Sequence, residues 1–262
     1  MNHWAADKLP GNLPLLLKNA DMSNVQEGES GAKVVMISGL GNQYFLKIDK
    51  KDKIIDRLHD EYQVILWLSS RFMVPEVILF EADDHYEYLL TRAMPGTLVK
   101  YSELTADPGR LISCYAAILN SMHSINTKEC PFDQSLDVKL ELAESRIANN
   151  EISWNYVNYE GKKFSPPELW KVLNNDRPDS QFLTFSHGDP YLNNMFFHQN
   201  KIKGLIDWAR GGCCDYHYDL AIAAHNISQT VGMAYVRDFL KLYRQIVDCR
   251  LLAYYWALNE FF

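Results

Sequence analysis

The sequence predicts an α+β chain in two lobes, a small β-rich lobe over residues 1–93 and a larger, mostly helical lobe over residues 94–262. Three observations carry that expectation. Short alternating runs rich in Val, Ile, Tyr and Phe crowd the N-terminal part, as half-buried strands require. Apolar residues then recur at helical spacing through most of the remainder. Between the two textures stands Met94-Pro95-Gly96, a connector, because Pro and Gly punctuate regular structure. With 262 residues, 47% of them hydrophobic and 23% charged, the chain is long and apolar enough for a substantial core. That composition excludes disorder, and no run approaches the roughly 18 apolar residues of a membrane-spanning helix.

In chain order, Val34-Val35-Met36-Ile37 and Gln43-Tyr44-Phe45-Leu46-Lys47-Ile48 read as strands, with Gly39-Leu40-Gly41-Asn42 as their hairpin turn. A helix is predicted over 54–71, then strands over 76–80 and 86–90 that bracket Asp83-Asp84. Beyond the connector, helices are predicted over 107–124, 136–149, 166–174, 217–228, 233–247 and 250–260. The stretch from Phe182 to Trp208 breaks that series with short apolar runs and a polar loop.

The net charge of −7 argues against a nucleic-acid partner, which needs a basic footprint, and suits a cationic small ligand. Five scattered cysteines point to a reducing compartment, and adjacent Cys213 and Cys214, with no CxxC or nearby His to complete a zinc site, read as buried apolar residues. The opening residues Met1 to Lys8 show no basic stretch followed by a long apolar one, so the expected location is the cytoplasm, with no membrane partner. The oligomeric state is left open.

The strongest chemical signal is Ser186-His187-Gly188-Asp189-Pro190-Tyr191-Leu192-Asn193-Asn194, followed by Gly204-Leu205-Ile206-Asp207. Asp189, Asn194 and a second acid at the end of an apolar run match the apparatus of kinase-type phosphoryl transfer. That chemistry concentrates negative charge on oxygens, which a hard divalent cation held by oxygen ligands neutralises. By itself His-x-Asp-x₄-Asn is ordinary turn material. The N-terminal runs supply the decisive partners. Lys47 shares a strand face with Phe45, and Glu61 shares a helical face with Leu58, Ile65 and Leu68. A carboxylate on an apolar face is costly unless paired, and Lys47 is its natural partner. Glu27-Gly28-Glu29-Ser30-Gly31 can turn backbone N–H groups toward phosphate oxygens, although Gly-Glu-Ser-Gly alone is common loop material. No GxxxxGK[ST] motif occurs, which excludes a P-loop scaffold.

Taken together, these residues resemble the aminoglycoside phosphotransferases, and most of all the 3′-phosphotransferases that inactivate kanamycin-type antibiotics. The likeness runs over nearly the whole chain and includes His187-Gly188-Asp189, Ile206-Asp207 and Asp219-Leu220-Ala221. It implies a bilobal, protein-kinase-like fold and an enzyme that confers antibiotic resistance. It also implies ATP, with GTP possible, and Mg²⁺ bound with the nucleotide. Carried across, Asp189 resembles the catalytic base and Asn194 and Asp207 the metal ligands. Lys47 and Glu61 resemble the phosphate-anchoring pair, Ser30 the phosphate loop, Phe45 the adenine-stacking ring, and Arg92 and Met94 the hinge. Asp189, Arg210, Glu260 and Phe262 would meet the acceptor, while Asp215 and Asp219 read as helix caps and loop braces. Leu192, Gln229 and Asn259 stand where several 3′-enzymes carry acids, and His225 stands in place of an arginine. Two alternatives keep the same motif: a kinase for a different hydroxylated small molecule, and a non-catalytic nucleotide-binding or drug-binding pseudokinase. A protein kinase fits less well, because no Asp-Phe-Gly or Ala-Pro-Glu occurs.

Overall fold

The alternating runs of the N-terminal part resolve into one antiparallel sheet. The computed structural model describes residues 9–25, 31–39, 41–179 and 181–262. The chain divides into two units, Met1–Gly96 with Gly204–Arg210, and Thr97–Lys203 with Gly211–Phe262.

In the first unit a short helix α1 (Leu13–Leu16) precedes β1 (Asp21–Asn24), β2 (Lys33–Ser38) and β3 (Tyr44–Lys50). Helix α2 (Leu58–Leu68), β4 (Val77–Ala82) and β5 (Tyr86–Arg92) follow. The sheet order is β1-β2-β3-β5-β4. Period-two alternation sends Val35, Ile37, Leu46, Ile48, Tyr88 and Leu90 to one face, where Leu9, Leu13 and Leu17 cover them. Helix α2 buries Leu58, Glu61, Val64, Ile65 and Leu68. Its start has no side-chain cap of its own. Instead the buried Glu87 of β5 accepts the His59 N–H at 3.0 Å and lies 3.3 Å from the Arg57 guanidinium. A carboxylate at the positive end of the helix dipole is well placed.

In the second unit β6 (Thr97–Leu98) leads to α3 (Pro108–Met122), capped by the Asp107 side chain, and to α4 (Leu136–Ala148). A hairpin of β7 (Val157–Tyr159) and β8 (Lys162–Phe164) precedes α5 (Pro166–Asn175), which starts with a Ser165–Glu168 capping box. Strands β9 (Leu183–Ser186), β10 (Met195–His198), β11 (Lys201–Leu205) and β12 (Gly212–Asp215) flank the polar loop. β9 pairs with β12, and β10 with β6, both antiparallel. Helices α6 (Tyr216–Thr230), α7 (Ala234–Leu242) and α8 (Cys249–Asn259) close the chain. α4, α5, α6 and α8 share a core that includes Leu140, Leu169, Leu173, Ile222 and Leu258. Among the described residues no helix is long and apolar enough to cross a membrane.

Several expectations change in detail. The helix predicted over 54–71 is confined to Leu58–Leu68, because Asp56 takes a left-handed φ of +57°. The helix predicted over 233–247 stops at Leu242. There the Asn120 side chain donates to the Leu242 carbonyl at 3.2 Å and accepts the Arg244 N–H at 2.9 Å, satisfying groups that a longer helix would have used. Neither α1 nor the β7–β8 hairpin was anticipated; the short, weakly patterned segments lack the periodicity that longer elements show. Of the cysteines, only Cys214 is buried and Cys249 is exposed. Adjacent Cys213 and Cys214 lie on a strand and so face opposite sides.

Glu87→Ala should cost about 1–3 kcal/mol, the range for stranding buried donors at a helix start. Urea unfolding monitored by circular dichroism measures it, and an unchanged midpoint would remove Glu87 as the anchor of α2.

Candidate active site

The His-Gly-Asp loop leaves β9 and is held from beneath by one carboxylate. Asp219, fully buried in the first turn of α6, accepts the His187 N–H at 2.8 Å and the Gly188 N–H at 2.9 Å. The His123 ring lies 3.0 Å from the same carboxylate, with its other nitrogen 2.7 Å from the Tyr243 hydroxyl. Burial pushes the Asp219 carboxyl up, but the hydrogen bond and charge of His123, with the His187 amide, outweigh it and hold the group below its ordinary value. Gly188 sits at φ +82°, where a side chain would be strained. Asp215, the other acid expected to serve as a cap, accepts the His217 N–H at 2.9 Å and the Phe182 N–H at 3.0 Å.

Asp189 stands at the turn that follows. Its N–H donates to His187 Nδ1 at 3.1 Å, and its carbonyl accepts the Tyr191 N–H at 2.9 Å. Asn194 Nδ2 donates to the Asp189 carbonyl at 3.0 Å and to Asp189 Oδ2 at 2.9 Å. Both amide hydrogens thus serve Asp189, which leaves Asn194 Oδ1 as the oxygen able to meet a ligand. The loop is braced again by the Asn226 side chain, which accepts the Leu192 N–H at 3.0 Å, and by the Tyr115 hydroxyl on the Pro190 carbonyl.

In the first unit, Lys47, Glu61 and Asp207 meet. Lys47 Nζ lies 2.7 and 2.9 Å from the two Glu61 oxygens and also donates to Asp207 Oδ1. Burial opposes the Lys47 charge, yet the Asp207 and Glu61 carboxylates prevail and raise its pKa above the ordinary lysine value. Asp207 has φ +64°, uncommon for a residue with a side chain, and its side chain is 41% exposed. Arg210 forks onto Asp56 at 2.6 and 2.8 Å. Phe45 and Lys47 occupy the less buried face of β3, opposite Leu46 and Ile48. The Arg92 N–H donates to the Glu76 carbonyl at 2.9 Å, and Met94 is buried two residues on. Ser30 and the rest of Gln26–Ser30 lie outside the described residues.

Asn194 and Asp207 are hard oxygen donors of the kind magnesium takes, so the residues present fit that ion. Glu260 and Phe262 belong to the second unit, just past α8, where burial pushes the Glu260 carboxyl up. A sequence model of the phosphotransferase enzyme family, APH, matches residues 21–255. The chain belongs to this family. It is 32% identical over 243 residues to an aminoglycoside 3′-phosphotransferase of Enterococcus faecalis, covering 90% of this chain and 91% of the relative. The crystal structure of an aminoglycoside-3′-phosphotransferase of type VIII superposes with a TM-score of 0.80 at 27% identity, over 93% of this chain and 94% of that one. The aminoglycoside phosphotransferase APH(3″)-Id from Streptomyces rimosus, solved with ADP and streptomycin, shares the fold alone. Its TM-score is 0.75 at 20% identity, over 92% of each chain. The α+β, kinase-like fold expected from the sequence is thus the fold of the APH relatives.

Several positioning residues of this APH-family chain escaped the sequence reading. Glu87 had a local signal, an acid within the apolar run Tyr86-Glu87-Tyr88-Leu89-Leu90. Asp56 and Asn226 had none, since their partners are 154 and 34 residues away.

Lys47→Met should destabilise the protein by about 3–5 kcal/mol, because it leaves the Glu61 charge buried and unanswered; adding Glu61→Leu should recover most of that loss. Urea titration of both variants decides, and a double variant as weak as the single one contradicts the pairing.

Asp219 is held below its ordinary pKa of 3.8 in the folded chain, so its stabilisation is complete above that value and fades as pH falls through the lower folded value. Asp219→Asn should therefore be less stable near neutrality and show a shallower loss of stability below about pH 4. Parallel acid limbs for the two proteins would exclude this role.

Proposed function

We propose that this chain transfers the γ-phosphoryl group of ATP to a hydroxyl of an aminoglycoside, the 3′-hydroxyl, and so confers resistance from the cytoplasm. The observation that carries the reading is the hydrogen bond from Asn194 to Asp189 within a loop whose amides are clamped by buried Asp219. Such a clamp keeps a general base in place beside a metal-ligating oxygen without making it a ligand. The names of the relatives and the net charge of −7, favourable to a polycationic acceptor, support the choice of substrate.

In this mechanism Asp189 accepts the proton of the acceptor hydroxyl, whose oxygen attacks the γ-phosphorus in line as ADP departs. Lys47, oriented by Glu61, donates to phosphate oxygens. Asn194 and Asp207 would hold Mg²⁺, which supplies charge neutralisation on the phosphates when bound. The Phe45 ring and the Arg92 to Met94 main chain would receive adenine, or guanine if GTP serves, and the Ser30 segment the phosphates. Glu260 and Phe262, with Arg210, would meet the acceptor.

The test is a coupled assay with ATP and with GTP on aminoglycosides that have or lack a 3′-hydroxyl, alongside neutral polyols. Turnover is expected only where the 3′-hydroxyl is present, and Asp189→Ala should lower kcat by about 10²–10⁴-fold while nucleotide affinity holds. Activity confined to the neutral polyols would overturn the acceptor, and undiminished turnover in Asp189→Ala would overturn the base.

A further inference from the structure

Asp189, the proton acceptor, lies on a loop that α3 reaches from both sides. Before Asp189, His123 at the end of α3 meets Asp219, which takes the His187 and Gly188 amides. After it, Tyr115 in the middle of α3 donates its hydroxyl to the Pro190 carbonyl. Tyr115 is fully buried, with its ring 5.5 Å from that of Phe239 on α7. Burial pushes its hydroxyl well above the ordinary tyrosine range, and the charges of Asp219 and Asp189 push the same way. The group is therefore a donor at any working pH. A buried hydroxyl is costly unless bonded, and a phenylalanine would fill the same space without that demand.

What the hydroxyl holds is the turn beside the base. The Tyr191 N–H returns to the Asp189 carbonyl at 2.9 Å and closes a three-residue turn with Pro190 at its apex. The proline ring fixes φ there, so the soft torsion of the turn is the Pro190 ψ. That torsion swings the Pro190 carbonyl and the Tyr191 N–H together, because both belong to one peptide plane. A hydroxyl carried on a packed helix and bonded to that carbonyl sets the plane. From Tyr191 the setting passes onward. Its carbonyl accepts the Asn194 N–H at 2.9 Å, and Asn194 Nδ2 donates to Asp189 Oδ2 at 2.9 Å.

We propose that Tyr115 is a positioning residue for the general base, holding the Asp189-Pro190-Tyr191 turn so that the Asp189 carboxylate stays aimed at the acceptor hydroxyl. This inference rests on the phosphotransferase reading above. Tyr115→Phe, which keeps the ring and removes only the donor, should lower kcat about tenfold, with the KM values for ATP and acceptor within about twofold of wild type. With Asp189→Ala already present, Tyr115→Phe should lower the residual rate by less than about twofold, since both changes act through one carboxylate. In Tyr115→Phe the Tyr191 amide should exchange with deuterium about tenfold faster, while the amides of the β9–β12 ladder keep their wild-type rates.

An active wild type whose kcat is unmoved by Tyr115→Phe overturns the proposal, as does a full tenfold loss in the Asp189→Ala background. Equal acceleration of Tyr191 and the ladder amides assigns the hydroxyl to overall stability and overturns it too. A wild type active only on another alcohol overturns the aminoglycoside acceptor alone, and the same kinetics on that alcohol decide Tyr115. A wild type that phosphorylates no alcohol overturns the functional reading and the catalytic role with it. Exchange at Tyr191 then decides the hold on the turn, which an unchanged rate removes.

Discussion

A charge withdrawn from water must be answered within hydrogen-bond reach, and each of the two units obeys that constraint. In the first unit the charge is the Lys47 ammonium, answered by Glu61 and Asp207. In the second it is the Asp219 carboxylate, answered by two backbone amides and a histidine. Each answer joins residues far apart in sequence, Lys47 to Asp207 across 160 positions and His123 to Asp219 across 96. Because an unpaired partner would be expensive, the geometry of these groups is more rigid than their loops alone would make it.

The Asp207 segment shows how such rigidity is assembled. At its start, a Cβ on Gly204 would lie 2.6 Å from the Met73 carbonyl, so only glycine permits that approach. At its end, Arg210 forks onto Asp56. Between them Asp207 takes its left-handed turn and reaches Lys47. Glu61 reaches the same lysine from α2, whose first turn is fixed by Glu87 on β5, the neighbour of β3. Backbone strain at Asp207 is tolerated because both ends of the segment are fastened.

Much of this was readable before any coordinates. The alternation around Lys47 placed it with Phe45, away from the buried Leu46 and Ile48, and the spacing of Leu58, Glu61, Ile65 and Leu68 marked one buried face. Both inferences rest on local periodicity, which a single strand or helix expresses by itself. The braces were less readable. Asn120 ends α7 with two hydrogen bonds, and Asn226 holds Leu192, yet each is an ordinary polar residue on a helix. A side chain acquires such a task only when a distant segment arrives with an unsatisfied backbone group.

The amino-acid order alone determined the α+β class and the strand and helix faces, and it singled out Asp189, Asn194, Asp207, Lys47 and Glu61 as candidates, because periodicity and motif spacing are properties of neighbouring positions. Tertiary structure alone decided that the Asp207 segment packs with the N-terminal sheet, that Arg210 pairs with Asp56, and that Lys139 lies buried beside the Phe262 ring. Those outcomes depend on long-range burial, in which a charge takes whichever partner the packed chain brings within reach, and no local pattern records that partner.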